Sequence, residues 1–295
     1  MADSLSPRLL VTGAGGHLGG RVVALLRAAG AAHVVAASRD PAKLAMAGVE
    51  TRRADFDDPA SLDAAFAGID RLLIISTDAI SVPGQRLRQH EAAVAAAVRA
   101  GVKHILYTSM PNPEPPSPLP IAPDHYGTEQ AIAASGLGFT ILRNSWYAEN
   151  LLGALPQVLA SGKWVTAAGE GRTPYVARED AARAAAAALA SGAAENRRYD
   201  IAGPEALTTA EIAGIVGDVC GKPIEVVQLP PDALAAALVA AGIPAPLVPF
   251  LVAADAAARA GKFDVPLGAV KQLTGHEPQS LRDFLMAHRP MLMGA

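Results

Sequence analysis

Short apolar runs alternate along the first half of the chain with longer segments whose apolar positions recur every three or four residues. Runs at 9–11 (LLV), 33–38 (HVVAAS), 49–55 (VETRRAD), 71–77 (RLLIIST), 104–109 (HILYTS) and 139–144 (FTILRN) have the length and composition of strands. Helical spacing fills 17–29, 59–67, 84–101 and 126–135 between them. Strict alternation predicts an α/β fold in which parallel strands are joined by right-handed helical crossovers. The apolar interior of 71–77 is expected of a strand covered on both faces.

Beyond residue 150 the alternation loosens. KWVTAAG (163–169), a helix at 178–191, RRYDIAG (197–203), a helix at 208–221, the strand IEVVQL (224–229) and several helices follow. The pattern predicts a first domain over 1–150 and a smaller mixed α/β lobe over 151–295 packed directly on it, with no sustained linker. Thr208 and Glu211 have capping-box spacing, which fixes a helix start. The alanine-rich 181–190 reads as a closely packed helix. Residues 233–254 carry no charge and are long enough to span a bilayer, but Pro244, Pro246 and Pro249 interrupt them and Asp232 and Asp255 bracket them. Two buried helices are expected there, with no membrane insertion.

Candidate chemistry begins at LLVTGAGGHLG (9–19). Gly13, Gly16 and Gly19 follow a strand and open a helix, the context in which a glycine turn lets a pyrophosphate approach the backbone at a helix N-terminus. The first domain is therefore expected to be a Rossmann-like, doubly wound nucleotide-binding domain. Arg39 ends the second strand 20 positions beyond Gly19, where an acidic residue selects a free ribose hydroxyl and an arginine a 2′-phosphate. Arg39 therefore argues for NADP, and Lys43, one helical turn on, adds a second cation. Asp55 and Phe56 at the third strand's end are expected at the adenine, and Ser76 and Thr77 at the fourth strand's end beside the cofactor.

Composition narrows the partners. The 295 residues carry a net charge of -3 with 18% charged and 4% aromatic residues, giving no basic face for nucleic acid. Cys220 is the sole cysteine, so no internal disulfide is available, and MADSLSPRLL lacks a secretory hydrophobic core. A cytoplasmic protein acting on a small molecule is expected, and a homodimer stays open. Seven prolines lie between Pro111 and Pro123, after a strand's C-terminal end. That position favours a stiff cover over the site more than a PxxP ligand for another protein.

TGAGGHLG, Arg39 with PAK, LLIIST, YTS at 107–109 and especially LRNSWYAEN at 142–150 together resemble the NmrA-like atypical short-chain dehydrogenases. Within them the chain is most similar to the type 2 NAD(P)H:quinone oxidoreductases, with AAGEGR (167–172), YDIAG (199–203) and LTTAEIA (207–213) extending the likeness, and the triphenylmethane dye reductases next. The resemblance implies NADPH binding and two-electron reduction of a quinone or related planar acceptor, without flavin or metal. It implies that Gly13, Ala14, Gly16, His17 and Leu18 hold the pyrophosphate, Arg39 the 2′-phosphate, and Ser76 and Thr77 the ribose region. Arg143, Asn144, Ser145, Trp146 and Tyr147 would line the nicotinamide and acceptor pocket, with Asn150 beside the substrate. The residues agree on location: Asn144 ends a strand where its amide reaches a carboxamide, and Trp146 and Tyr147 offer planar faces, unless they serve only as packing between lobes.

Ordinary short-chain dehydrogenases carry TyrxxxLys on the helix after the fifth strand, where the lysine lowers the tyrosine's pKa. Here HYGTEQ has Tyr126 but Gln130 in place of the lysine, a departure also from the quinone reductases. Ketone reduction leaves an alkoxide that needs a proton donor at once, whereas quinone reduction leaves a phenolate with a conjugate acid near a pKa of about 10. The sequence thus favours direct hydride transfer by positioning, with Tyr126 or His125 assisting by hydrogen bonding. A dinucleotide-sensing regulator without turnover and a reductase of dyes are the alternatives.

Overall fold

The computed structural model describes residues 6–294 apart from 45 and 47. Its strands are β1 (Arg8–Val11), β2 (His33–Ser38), β3 (Glu50–Arg53), β4 (Arg71–Ile74), β5 (His104–Ser109) and β6 (Gly138–Asn144). β7 (Lys163–Thr166) and β8 (Arg172–Thr173) lie outside the main sheet, and β9 (Arg197–Ile201) rejoins it. The result is a seven-stranded parallel sheet in the order β3-β2-β1-β4-β5-β6-β9. Strand order reverses between β1 and β4, so the crevice for a ligand opens beyond their C-terminal ends.

The central strands β4 and β5 are buried at every residue, while the edge strands read ETRR and RRYDI. Charged edges resist pairing with another chain. On one face lie α1 (His17–Ala28) and, from the second half of the chain, α6 (Arg178–Ala190). On the other lie α2 (Pro59–Phe66), α3 (Gln85–Arg99) and α4 (Ala122–Ala134). The alanines of α6 let it sit close against α1 and the sheet. Arg71, buried on β4, donates to the carbonyls of Leu189 at 2.9 Å and Ala193 at 2.8 Å, satisfying the C-terminal end of α6.

The main sheet also draws on chain beyond residue 150. The RRYDIAG strand and the alanine helix belong to the nucleotide-binding sheet, because their apolar faces cover surface that the first 150 residues leave open. The remaining lobe contains α5 (Glu149–Ser161), β7, β10 (Leu207–Thr208), α7 (Thr209–Cys220) and β11 (Glu225–Gln228), then α8 (Pro231–Ala240), α9 (Val248–Arg259), α10 (Ala269–Thr274) and α11 (Leu281–Leu292). β7 pairs in parallel with β11, and β8 antiparallel with β10. The capping box forms as expected: Glu211 N donates to Thr208 Oγ1 at 3.2 Å, and Thr208 N donates to Glu211 Oε2 at 2.7 Å. α10, by contrast, packs Val270 into the core under α6.

Other expectations shift. α8 and α9 are not two buried helices: only Leu234 of the first and Val248, Ala257 and Ala258 of the second are buried, so each lies on the lobe surface with one face inward. Among the described residues no helix is long and apolar enough to cross a membrane. β4 ends at Ile74, three residues earlier than expected, because side chains capture the next amides. Ile75 N donates to Thr12 Oγ1 at 3.0 Å, Ser76 N to Thr108 Oγ1 at 2.9 Å, and Thr77 N to His90 Nε2 at 3.1 Å. α4 starts at Ala122, four residues early, since Pro123 falls in the first helical turn where no amide hydrogen is needed.

Candidate active site

The glycine turn is built by steric necessity. Gly13 has φ +61°, and a Cβ on Gly19 would lie 2.3 Å from the Gly13 carbonyl oxygen, so only glycine lets α1 close on the turn. The first amides of α1 then have no acceptor within the helix and open toward solvent beside Gly16, the donor arrangement an anion needs. Ala14 and Leu18 point into the core, so these two have only backbone groups to offer, and the His17 side chain is exposed outside the cavity walls.

Two cavities meet beyond the strand ends. The larger, about 760 Å³, runs from Gly13, Gly15 and Gly16 past Arg39 and Lys43 to Asp55, Phe56 and Thr77. The smaller, about 220 Å³, is walled by Met110, Leu119, Trp146 and Phe263 and carries polar groups from Thr108, Asn144 and Ser145. Ser76 lines both, so a ligand extended along the first reaches the second at that residue.

Arg39 is exposed and has no ion-pair partner among the described residues, whereas Asp40 pairs with Lys43 at 3.0 Å. The cation nearest the end of β2 is therefore free to meet a phosphate. Thr77 Oγ1 donates to Gln89 Oε1 at 2.7 Å, and Gln89 Nε2 to Asp57 Oδ2 at 2.8 Å, which fixes the middle of the larger cavity. In the smaller cavity Asn144 Nδ2 donates to the Tyr147 hydroxyl at 3.0 Å, while Asn144 Oδ1 and Ser145 Oγ are buried without a protein partner. Such orphaned atoms call for an outside donor. Burial raises the Tyr147 pKa, so its hydroxyl stays neutral.

A model of the NmrA-like family matches residues 6–279. The chain belongs to the NmrA-like family. This NmrA-like protein is 37% identical to quinone oxidoreductase 2 of Escherichia coli, over 93% of this chain and 96% of that one. A crystal structure of the Escherichia coli NADPH-dependent quinone oxidoreductase with NADPH superposes with TM-score 0.88 at 36% identity, covering 95% of this chain and 99% of that chain. The Citrobacter sp. triphenylmethane reductase with NADP(H) does so with TM-score 0.87 at 33% identity, covering 95% and 99%.

Two expected site residues of this NmrA-like protein stand elsewhere. Arg143 does not line the acceptor pocket: it is half-buried between Glu129, bonded at 2.7 and 3.0 Å, and Glu114 of the proline segment. Burial pushes its pKa down, but the bonds to the two carboxylates outweigh that and hold it above the ordinary value. Tyr126 lines neither cavity, and Gln130, one turn on, is exposed. α4 instead turns His125 and Glu129 inward, the next face of the same helix.

The proline segment covers the smaller cavity. Pro111 and Leu119 line it, Arg143 holds Glu114 from below, and Asn112 Nδ2 donates to the Lys262 and Asp264 carbonyls at 3.2 Å each. Trp146 lines the cavity and also packs edge-on against Phe250 and Phe263, each with a centroid separation of 5.8 Å. Asn150 is exposed at the rim. Pattern reading missed Arg86 as a wall of this cavity; in the sequence it is one of several cations on an amphipathic helix, and only its four-residue spacing from His90 marks the inner face.

Proposed function

We propose that this protein is an NADPH-dependent reductase that passes hydride to a quinone or a related planar conjugated acceptor. The observation that carries the reading is Asn144 Oδ1, buried and unpartnered beside the smaller cavity, which joins the larger at Ser76. An acceptor atom there suits the carboxamide of a nicotinamide, and the chain residues along the larger cavity suit the rest of NADPH. The glycine-turn amides would hold the pyrophosphate and Arg39 the 2′-phosphate, with Asp55 and Phe56 at the adenine. NADPH, when bound, supplies the hydride. The protein's own part is positioning: Asn144 orients the nicotinamide, Trp146 and Leu119 give the acceptor flat apolar walls, and the proline segment excludes water.

The acceptor class follows from what faces the smaller cavity. No tyrosine–lysine pair serves it, so an alkoxide product would lack its usual donor, whereas a hydroquinone anion takes its proton from water. The likeness to the Escherichia coli quinone oxidoreductase supports the same acceptor. A cationic triarylmethane dye is the second reading, favoured by the likeness to triphenylmethane reductase.

The test follows loss of NADPH absorbance with and without a small benzoquinone, beside a calorimetric titration of NADPH. Acceptor-dependent oxidation is expected. Tight NADPH binding with no oxidation by benzoquinones or dyes would sink the reductase reading in favour of a sensor.

A further inference from the structure

We propose that Arg86 sets the charge of the acceptor: its guanidinium lines the smaller cavity without a counter-charge and selects a planar acceptor that carries an anionic substituent, a sulfonate or a carboxylate. The proposal deepens the reductase reading and rests on it for the reaction, though not for the charge of the ligand.

The hydrogen bonds behind Arg86 close on themselves and leave its charge over. Arg86 Nη1 donates to His125 Nε2 at 3.2 Å, so the neutral His125 ring carries its hydrogen on Nδ1 and donates it to the Tyr107 hydroxyl at 2.8 Å. Tyr107 bonds Thr128, whose hydroxyl donates to the Asp124 carbonyl at 2.7 Å. His90 reaches the same threonine through Nδ1 at 2.9 Å, and its Nε2 accepts from the Thr77 amide at 3.1 Å. Every ring nitrogen and hydroxyl in this set has a partner, and none of them is charged. Burial, together with the charge on Arg86, keeps His125 neutral, and burial does the same for the Tyr107 phenol. His125 therefore orients the guanidinium without neutralising it.

Nothing else neutralises it either. Arg86 is only 8% exposed, its Nε has no partner, and no carboxylate lies within ion-pair distance of it among the described residues. Asp78 and Asp124 reach it only through longer-range attraction. It also stands in the first turn of α3, where the free amides already make the potential positive and a cation is disfavoured. A buried cation without a counter-charge is costly, and an anionic ligand offsets that cost.

The position of the charge says which ligand feels it. Among the described residues that line the smaller cavity, Arg86 alone is charged, and it does not line the larger cavity, where the phosphates of a dinucleotide would lie. The remaining walls are apolar or neutral, so water screens the guanidinium poorly there. An anionic substituent on the acceptor meets attraction in that space and a cationic one repulsion, which is how a single charge separates ligands of the same shape. The same reasoning counts against a cationic triarylmethane dye as the acceptor.

Arg86→Met and Arg86→Lys are compared with the unaltered protein in turnover of 1,4-naphthoquinone, its 2-sulfonate and a trimethylammonium-substituted naphthoquinone, and in NADPH titration. The intrinsic reactivity of each acceptor cancels in the ratio of variant to unaltered kcat/KM. R86M is expected to lower kcat/KM about 10- to 100-fold for the sulfonate, the worth of one charge-assisted bond, less for the neutral quinone, and to raise it for the cationic one. R86K keeps the charge without the planar fork and should recover part of the loss on the sulfonate. A second measurement needs no turnover: calorimetric titration of the NADP+ complex with 2-naphthalenesulfonate and its neutral sulfonamide should show a preference for the anion that R86M abolishes. Equal losses on all three acceptors in R86M, or an unchanged preference for the naphthalenesulfonate, overturn the proposal. If the unaltered protein reduces no acceptor yet prefers the naphthalenesulfonate through Arg86, the reductase reading fails and the anion selection stands.

Discussion

Asn144 Nδ2 donates to the Tyr147 hydroxyl, 3.0 Å away, and Asn144 Oδ1 is buried without a protein partner beside the smaller cavity. Asn144→Leu removes the acceptor and should weaken NADPH binding about 10-fold, the worth of one hydrogen bond. Tyr147→Phe only frees the amide to turn and should cost less. Titration of each variant with NADPH measures both; equal affinity in Asn144→Leu and the unaltered protein would remove Asn144 from the nicotinamide site.

Arg39 and Lys43 differ in what they already touch. Because Lys43 is paired with Asp40, Arg39 is the cation expected to meet a 2′-phosphate. Arg39→Asp should lower NADPH affinity about 10- to 100-fold, the range for a charge-assisted bond, with little change for NADH. Lys43→Ala should have the smaller effect. An unchanged ratio of NADPH to NADH affinity in Arg39→Asp excludes it from the phosphate site.

Arg143 pairs with Glu129 of α4 and Glu114 of the proline segment. Its replacement by alanine leaves Glu129, 1% exposed, with the Ser109 hydroxyl at 2.7 Å and Arg198 at 3.5 Å, and unpairing a buried charge costs up to about 3–5 kcal/mol. The denaturation midpoint of R143A should fall accordingly, and adding Glu129→Gln should restore part of it. No shift in midpoint would show that the pair contributes nothing.

Acid should destabilise the fold from the histidines first. Burial holds His90 down to about 3 and His104 to about 4, each lowered further by a neighbouring arginine, and His125 well below its ordinary 6.5. Above that value the unfolded histidines are neutral as well and no penalty exists. Below it the unfolded chain takes up protons that the folded one refuses, so stability falls as pH falls, by at most about 1.4 kcal/mol per pH unit per histidine. Urea melts between pH 7.5 and 5 read the slope, and His104→Gln should make it shallower by one proton.

The sequence determined the parts whose signals are local. Strand and helix alternation, the glycine turn, Arg39 at the end of β2 and the Thr208 capping box are each set by sterics or hydrogen bonds within a few residues, and they fall where the pattern puts them. Asn144, Ser145, Trp146 and Tyr147, neighbours in sequence, line one cavity. Tertiary structure decided the rest. β9 and α6 return to a sheet begun at Arg8 because that sheet has an open edge and an uncovered face, which no local window reveals. Arg143 and Arg86 carry the same charge, yet one meets Glu129 and Glu114 across the sheet and the other meets a histidine and a cavity. Charge and helical spacing are written in the chain; which charges end up paired depends on contacts between elements far apart in sequence, and that difference separates an ion-paired arginine from one that lines a cavity.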